Sequence, residues 1–228
     1  MIIKKPKFWD EKIGIISIIL YPLTLIVIIL IFLKKKFAKS IKFEIPIICV
    51  GNIYLGGTGK TPTSIFLAKE LVKVGKKPAI LRKYYQDHSD EHGLIKKYFT
   101  NLILEKNRES GVKKAKDAGF DSVILDDGFQ DYNICKDLNI ICFNDNQLVG
   151  NGLILPSGPL RESLKSLKNA DIVLINGKKN ENFEKRILEI NSNLKIFYSH
   201  YKPLNIEWFK NKELVALAGI GNPKNFFG

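Results

Sequence analysis

From residue 45 onward, short apolar runs recur along the chain, separated by polar segments or by helical patterns. The first run, residues 45–50, is mostly β-branched and predicts a buried strand. Further strands are predicted at residues 78–81, 122–125, 138–143, 172–175 and 213–218, and helices at 65–73, 112–118 and 183–190. Short apolar strands that alternate with helices predict an α/β fold, a mostly parallel sheet covered by helices on both faces.

Before the first strand, residues 13–33 form an uncharged, almost wholly apolar stretch. As a helix it would be about 31 Å long, close to the hydrocarbon thickness of a bilayer. It lacks a small-residue cleavage site, which argues against a signal peptide. Lysines stand on both sides of it, so charge decides only weakly between a span and a hairpin or monotopic insertion. Membrane attachment is predicted; the alternative, a buried core helix, would need a protein sheath on all sides.

A glycine-rich segment, residues 51–62, lies between the first strand and a helix. Strand, glycine loop, Gly-Lys-Thr and helix form the context of a phosphate-binding P-loop. Glycines let backbone N–H groups converge on phosphate oxygens, Lys60 would reach the outer phosphates, and the Thr61 hydroxyl can hold Mg²⁺. The predicted nucleotide-binding residues are Gly56, Gly57, Thr58, Gly59, Lys60 and Thr61. The strict pattern has glycine where Tyr54 stands, and the alternative is a glycine-rich turn with an incidental Lys-Thr.

Acidic residues follow two of the predicted strands. Asp126 and Asp127 end the strand at 122–125, on the sheet edge that also carries the glycine loop, and they predict ligands for Mg²⁺ on the phosphates. Asp90 and Glu91 follow the strand at 78–81 after a short loop. An aspartate there is a candidate base for an acceptor hydroxyl, although a charged loop is more often simply solvated.

Residues 151–162 combine Gly and Pro turn positions with a closing Arg161-Glu162. Arg161 could pair with phosphate or with a nearby carboxylate, and the alternative is an ordered loop that caps the next helix.

The net charge limits the kinds of binding partner to be expected, and the cysteine content indicates the redox state of the thiols. The formal net charge of +13 predicts an anionic partner, either a membrane surface, a phosphorylated substrate or nucleic acid. No zinc spacing, aromatic RNA-binding motif or helix-turn-helix is present in the sequence, so nucleic acid is not expected. Cys49, Cys135 and Cys142 form no Cys-x-x-Cys pair, and buried, reduced thiols are expected.

Together these motifs resemble the tetraacyldisaccharide 4'-kinase family, the membrane-associated lipid A kinases of Gram-negative bacteria. The resemblance is carried by residues 50–52 with 56–62, by Asp-Asp-Gly-Phe-Gln at 126–130, by 151–152 with 155–156 and 158–162, and by Ala-Gly-Ile-Gly-Asn-Pro at 218–223. It implies a P-loop NTPase-like fold that uses ATP and Mg²⁺ to phosphorylate the 4'-hydroxyl of a tetraacylated glucosamine disaccharide 1-phosphate. A domain that uses ATP must face the cytoplasm, so the attachment predicted through residues 13–33 would place the chain at the cytoplasmic face of the inner membrane.

The resemblance implies roles for individual residues. Lys60 and Thr61 would contact the phosphates and Mg²⁺, and Asp90 would match the family's catalytic aspartate. The full set of implied site residues is catalytic Asp90, Lys60 and Asp127; metal-binding Thr61, Asp126, Asp127 and Glu162; and further site residues Gln130 and Arg161.

Three departures from the family pattern stand in the sequence. Leu-Arg-Lys-Tyr-Tyr at 81–85 lacks the family's glycines, and Asp131 stands where the family usually has histidine. The family's Asp-His-His segment, which follows the stretch at 218–223, is absent from the sequence. We therefore expect a fragment of a longer protein with an N-terminal membrane-associated segment at 1–42 and a kinase domain at 43–228 that holds the start of a second lobe.

Two other functions are compatible with the same motifs. One is a membrane-tethered P-loop ATPase that acts on a partner protein, and the other is a nucleotide-binding remnant without full catalysis. A GTPase is disfavoured because residues 176–179, Asn-Gly-Lys-Lys, do not fit the guanine-reading Asn-Lys-x-Asp motif.

Overall fold

The computed structural model describes residues 5–84, 89–202, 206–210 and 213, with the backbone alone at 89–91, 206 and 209. The helices are α1 (Ile15–Phe37), α2 (Lys60–Lys73), α3 (Ser89–Tyr98), α4 (Arg108–Asp117) and α5 (Glu181–Leu188). The strands are β1 (Ile47–Gly51), β2 (Pro78–Lys83), β3 (Leu102–Glu105), β4 (Ser122–Asp126), β5 (Leu138–Asn144), β6 (Ile172–Asn176) and β7 (Lys195–Ser199). Short 3-10 turns lie at Lys7–Trp9, Leu164–Asn169 and Ile206–Phe209.

The seven strands form one sheet in the order β3-β2-β4-β1-β5-β6-β7, and every pairing is parallel. Parallel pairing brings the carboxyl ends of β1 and β4 together, with Val50 opposite Asp126. The predicted α/β fold is therefore confirmed, and β1, β2, β4, β5 and β6 lie where strands were predicted. The predicted strand at 213–218 lies outside the described residues except for Glu213.

Both faces of the sheet are covered, because successive residues of each central strand point to opposite sides. On one face, Val50 of β1 and Ile124 of β4 pack with Ile65 of α2. On the other face, Cys49 of β1 packs within a cluster that includes Phe183 of α5. The sheet is thus the middle layer of three, as the continuous apolar strands predicted.

Helix α1 has an inverted pattern of burial. Its two buried residues are the polar Ser17 and Thr24, and Val27 and Ile31 are half-buried against the core. Most of its large apolar side chains are exposed, among them Ile15, Ile16, Ile18, Ile19, Leu23, Leu25, Ile26, Ile29, Leu30 and Phe32. This exposure excludes the buried core helix considered as an alternative. Within the described residues, α1 is the one helix long and apolar enough to cross a membrane.

Candidate functional site

The glycine loop connects β1 to α2 at the carboxyl edge of the sheet. Gly59 adopts φ +86°, a left-handed conformation that glycine favours, and α2 begins at the next residue, Lys60. Gly51 lies against the chain after β4, where an added Cβ would come within 2.5 Å of the Phe129 Cβ. Asn52 braces the loop from inside by donating to Gly56 O at 3.2 Å and to Thr58 Oγ1 at 3.0 Å. These bonds therefore fix the shape of the loop directly before the N-terminus of a helix, where an anion is favoured.

Tyr54, the residue at the usual glycine position, is fully buried. Its backbone pairs in an antiparallel bridge with Leu160, and its hydroxyl donates to Asp10 Oδ1 at 3.0 Å. The glycine loop is therefore paired with the segment at Leu160 through the backbone of Tyr54. The buried side chain of Tyr54 adds packing that a glycine at this position would not provide.

Thr61 and Asp126 form the oxygen-rich centre of the site. The Thr61 hydroxyl lies 3.1 Å from Asp126 Oδ2, and the Ser64 hydroxyl donates to Asp126 Oδ1 at 3.0 Å. Arg82, at the end of β2, pairs with the same fully buried carboxylate. A P-loop hydroxyl beside a carboxylate at the end of a neighbouring strand is the arrangement that Mg²⁺ requires when it binds nucleotide phosphates.

Lys60 and Asp127 form the second half of the site. Lys60 Nζ lies 3.7 Å from Asp127 Oδ1, and an Arg161 guanidinium nitrogen lies 2.9 and 3.0 Å from the two Asp127 oxygens. Burial lowers the pKa of Lys60, and the nearby negative charge of Asp127 partly offsets this. For Asp127, burial acts to raise the pKa, but the charges of Lys60 and Arg161 outweigh it and hold the pKa below its ordinary value. Asp127 is therefore a carboxylate at neutral pH.

Asp127 adopts φ +58°, an uncommon conformation for a residue with a side chain. Arg108, the first residue of α4, donates to the Asp127 carbonyl at 2.7 Å and to Asp131 Oδ2 at 3.3 Å. These bonds fix the turn after β4, and strained conformations of this kind are held in place at functional sites by their surroundings.

The remaining predicted residues are placed differently from one another. Gln130 donates from its amide to Asn52 O at 2.8 Å, so it braces the glycine loop. Glu162, predicted to bind metal, is 2% exposed and pairs with Lys35 of α1 at 2.5 Å. The backbone of Asp90 lies in the first turn of α3, and its side chain is outside the described residues.

Four residues that sequence reasoning did not assign to the site contribute to it. Arg82 had a usable signal, because it ends a strand at the functional edge of the sheet. Asn176 ends β6 and donates to Thr58 O at 2.5 Å. Lys34 and Arg108 reach the site from α1 and α4, and no local pattern in the sequence indicates these contacts.

Several of these side chains line a cleft of about 330 Å³, among them Lys34, Arg82, Arg108, Asp126, Asp127 and Arg161. The cationic lining suits a highly charged phosphate chain. A larger hollow of about 560 Å³ lies at the opposite edge of the sheet, near Asn139 and Lys195, away from the glycine loop.

The donor set fits magnesium. The Thr61 hydroxyl and the carboxylates of Asp126 and Asp127 are hard oxygen donors, and Mg²⁺ takes one or two protein carboxylates together with phosphate and water. Within the described part of the chain no three His, Cys, Asp or Glu side chains cluster as a complete metal cage. The residues thus suit a metal that arrives with a nucleotide.

Comparison with known proteins gives a consistent result. Residues 16–95 and 86–228 match the family model for tetraacyldisaccharide-1-P 4'-kinase. The tetraacyldisaccharide 4'-kinase of Pelagibacter ubique is 40% identical over 99% of this chain and 73% of its own length. That of Shewanella sediminis is 32% identical over 93% of this chain and 69% of its own length. The crystal structure of LpxK from Aquifex aeolicus in complex with ATP superposes with a TM-score of 0.61 at 20% identity, over 90% of this chain and 87% of that one, and so shares the fold.

Proposed function

Because this chain belongs to the tetraacyldisaccharide-1-P 4'-kinase family, we propose that it transfers the γ-phosphate of ATP to the 4'-hydroxyl of a tetraacylated glucosamine disaccharide 1-phosphate. The chain is a kinase, and its role is in lipid A synthesis. ATP is the proposed donor, as in the solved complex of the Aquifex aeolicus relative.

The observation that carries this proposal is a cleft that lies between the end of β4, where Asp126 and Asp127 contact the P-loop residues Thr61 and Lys60, and the end of the exposed apolar helix α1. Asp127 and Arg161 line it from the nucleotide side, and Lys34 lines it from the end of α1. A soluble small acceptor would need no apolar helix beside the reacting phosphate. An acylated sugar does, because its chains must stay in an apolar environment while its head group enters the cleft.

The site residues divide the work of phosphoryl transfer by position and charge. The glycine loop and Lys60 bind the outer phosphates, with Asp127 holding Lys60 in place. Thr61 and Asp126 would hold Mg²⁺, which neutralises charge on the phosphates when bound. Arg161 lies on the same side of the cleft as Asp127 and can stabilise negative charge that develops on the transferred group.

Asp90 is the proposed base for the acceptor hydroxyl. Its backbone follows β2 at the carboxyl edge of the sheet, the same edge that carries Lys60 and Asp127. A carboxylate there could accept the proton of the 4'-hydroxyl as the oxygen attacks phosphorus. Glu162 is proposed as an acidic residue that acts through α1, because its side chain is directed at Lys35.

The proposed location is the cytoplasmic face of the inner membrane, with attachment through residues 13–33 and the kinase domain at 43–228. The exposed apolar side chains of α1 each favour an apolar environment by about 1.5–3 kcal/mol when fully buried. The basic flanks would meet anionic head groups, which attract each lysine by about 1 kcal/mol near the surface. Helix α1 contacts the domain from Ser17 to Lys35, which favours insertion into one leaflet over a perpendicular span.

A membrane-tethered ATPase that acts on a partner protein would use the same nucleotide site. It would consume ATP without forming a lipid product, and the partner protein would stimulate it. A nucleotide-binding remnant would bind Mg-ATP with neither activity.

The test is transfer of labelled γ-phosphate from ATP to the lipid disaccharide monophosphate in detergent micelles. We expect labelled lipid from the wild-type chain and a loss of at least about 10²–10³-fold with Lys60→Ala, because the charge on the outer phosphates is no longer compensated. Lys113→Ala, which removes an exposed lysine of α4, is the matched control and should behave as wild type. Mg-ATP binding with no labelled lipid from the wild-type chain would overturn the proposal.

A further inference from the structure

Residues 151–162 form a bridging segment that lies between the glycine loop and α1. On the side of the glycine loop, Leu55 N donates to Pro159 O at 2.8 Å, and Arg161 N donates to Ile53 O at 2.7 Å. These backbone bonds extend the bridge between Tyr54 and Leu160. The position of Arg161, and so its pairing with Asp127, is therefore set by how the bridging segment is held.

On its other side the bridging segment is held by the polar stripe of α1. The Thr24 hydroxyl donates to Ser157 Oγ at 2.8 Å and accepts from Ser157 N at 3.1 Å. Asn151 Nδ2 lies 3.3 Å from Ser17 Oγ. A helix that presents its apolar residues outward thus uses its few polar residues to hold a segment of the catalytic domain.

The stripe ends at an ion pair. Lys35 Nζ lies 2.5 Å from Glu162 Oε2, and Glu162 is 2% exposed. Lys35 also lies over the Tyr132 ring at 5.1 Å from its centroid. A buried carboxylate that loses its cation is strongly disfavoured, so it must take up a proton or move toward water. Movement of Glu162 would shift the bridging segment next to Arg161.

Arg161 and Glu162 are consecutive residues at a bend that follows Leu160. Arg161 points to Asp127, and Glu162 points to Lys35. The two ion pairs are therefore connected through a single peptide unit. The Arg161–Asp127 pair lies on the catalytic side, and the Glu162–Lys35 pair lies on the helix side.

We propose that Lys35 is a positioning residue that holds Glu162, so that contact between α1 and the bridging segment stabilises the Arg161–Asp127 pair. The proposal rests on the proposed phosphoryl transfer. When α1 contacts the bridging segment, Arg161 is held against Asp127 and Lys60 is oriented for the outer phosphate. When α1 is displaced, the bridging segment loses its outer support, and the enzyme still binds nucleotide but transfers phosphate slowly.

The kinetic test compares wild type, Lys35→Ala, Lys35→Arg, Glu162→Gln and the double variant Lys35→Ala/Glu162→Gln in the micelle assay. We expect Lys35→Ala to lower kcat by about 3- to 30-fold, the range of energetic coupling between linked sites. The KM for ATP should stay within about twofold, because none of these substitutions replaces a residue of the glycine loop. Lys35→Arg should restore most of kcat, and the double variant should be no slower than Glu162→Gln alone.

A role in lipid attraction alone would give a different pattern. Lys36→Ala removes the same charge from the same end of α1, so any loss that it shares with Lys35→Ala belongs to lipid attraction and not to Glu162. Multiplied losses in the double variant, or wild-type kcat in Lys35→Ala, would overturn the proposal.

A second measurement decides the coupling without catalysis. The side-chain Nε–H resonance of ¹⁵N-labelled Arg161, assigned with Arg161→Lys, reports the environment of the guanidinium group that pairs with Asp127 through Nη1. We expect it to shift in Lys35→Ala and to keep its wild-type position in Lys35→Arg. An unchanged resonance in Lys35→Ala would refute the coupling. If the wild-type chain forms no lipid product, the proposed function fails, and this resonance still tests Lys35.

Discussion

Replacing Asp127 with asparagine tests the charge balance of the site with almost no change of shape. Asp127 lies 2.9 Å from Arg161 and 3.7 Å from Lys60. The substitution removes the negative charge between these two cations and leaves the amide to make weaker hydrogen bonds. The folded protein then holds two positive groups in a partly buried cleft without their carboxylate.

The magnitude follows from these distances. At an effective dielectric constant of about 20, each attraction is about 4–6 kcal/mol before the cost of removing the charges from water is subtracted. The Asp127 side chain is 26% exposed, which reduces the net effect. We expect the free energy of unfolding at pH 7 to fall by about 1–3 kcal/mol in Asp127→Asn.

The pH dependence has a definite sign. The pKa of Asp127 is held below its ordinary value, so the folded state binds fewer protons than the unfolded state near pH 4. The stabilisation is complete above the ordinary aspartate pKa of about 3.9 and is lost as the pH falls through the lower folded pKa. The difference in stability between wild type and Asp127→Asn should therefore shrink in acid.

The assay is urea unfolding in micelles, followed by far-ultraviolet circular dichroism at pH 7 and near pH 3. Asp117→Asn, at the exposed end of α4, is the matched loss of one carboxylate and should match wild type at pH 7. Equal stability of Asp127→Asn and wild type at pH 7, or a difference that does not shrink in acid, would refute this account of the charges.

Three further predictions concern packing, thiols and membrane binding. Gly51→Ala should lower the free energy of unfolding by about 1–3 kcal/mol, because its Cβ would collide with a neighbouring side chain. Gly57→Ala, where an added Cβ meets nothing within 4 Å, should leave the free energy of unfolding unchanged. An equal fall in melting temperature in the two variants would contradict this prediction. Burial raises the pKa of Cys49 to about 11 and that of Cys142 to about 12, so iodoacetamide at pH 8 should label Cys135 first by mass spectrometry. Equal labelling of all three cysteines in the folded protein would contradict the burial of Cys49 and Cys142. Binding to anionic vesicles should weaken as salt is raised and persist in part through α1, whereas salt-insensitive binding would exclude the electrostatic contribution.

The fold could be predicted where burial is two-sided. Strands β1 and β4 are buried on both faces, and burial on both faces requires continuous apolar runs. Both strands were predicted from such runs. Strand β3 is half-buried throughout and β7 is half-buried or exposed, as befits the two edges of the sheet, and neither was predicted. An edge strand contacts less of the core and carries a weaker pattern.

The site could be predicted only where its residues are neighbours in sequence or end adjacent strands. The glycine loop and Asp126 meet because parallel pairing brings their strand ends together. The orientation of Glu162 toward α1 depends on contacts between parts of the chain about 130 residues apart. Arg108 likewise reaches the turn after β4 from the start of α4. Such contacts are set by packing of the whole domain and leave no local pattern.

The stoichiometry of the reaction distinguishes a lipid kinase from a membrane-tethered ATPase. ADP formed and labelled phosphate recovered in lipid are measured together, and the position of the new phosphate on the disaccharide is determined by ³¹P nuclear magnetic resonance. We expect equal amounts of ADP and lipid phosphate, with the new phosphate at the 4'-position. ADP formed without lipid phosphate, or formed at the same rate when the disaccharide is omitted, would contradict it.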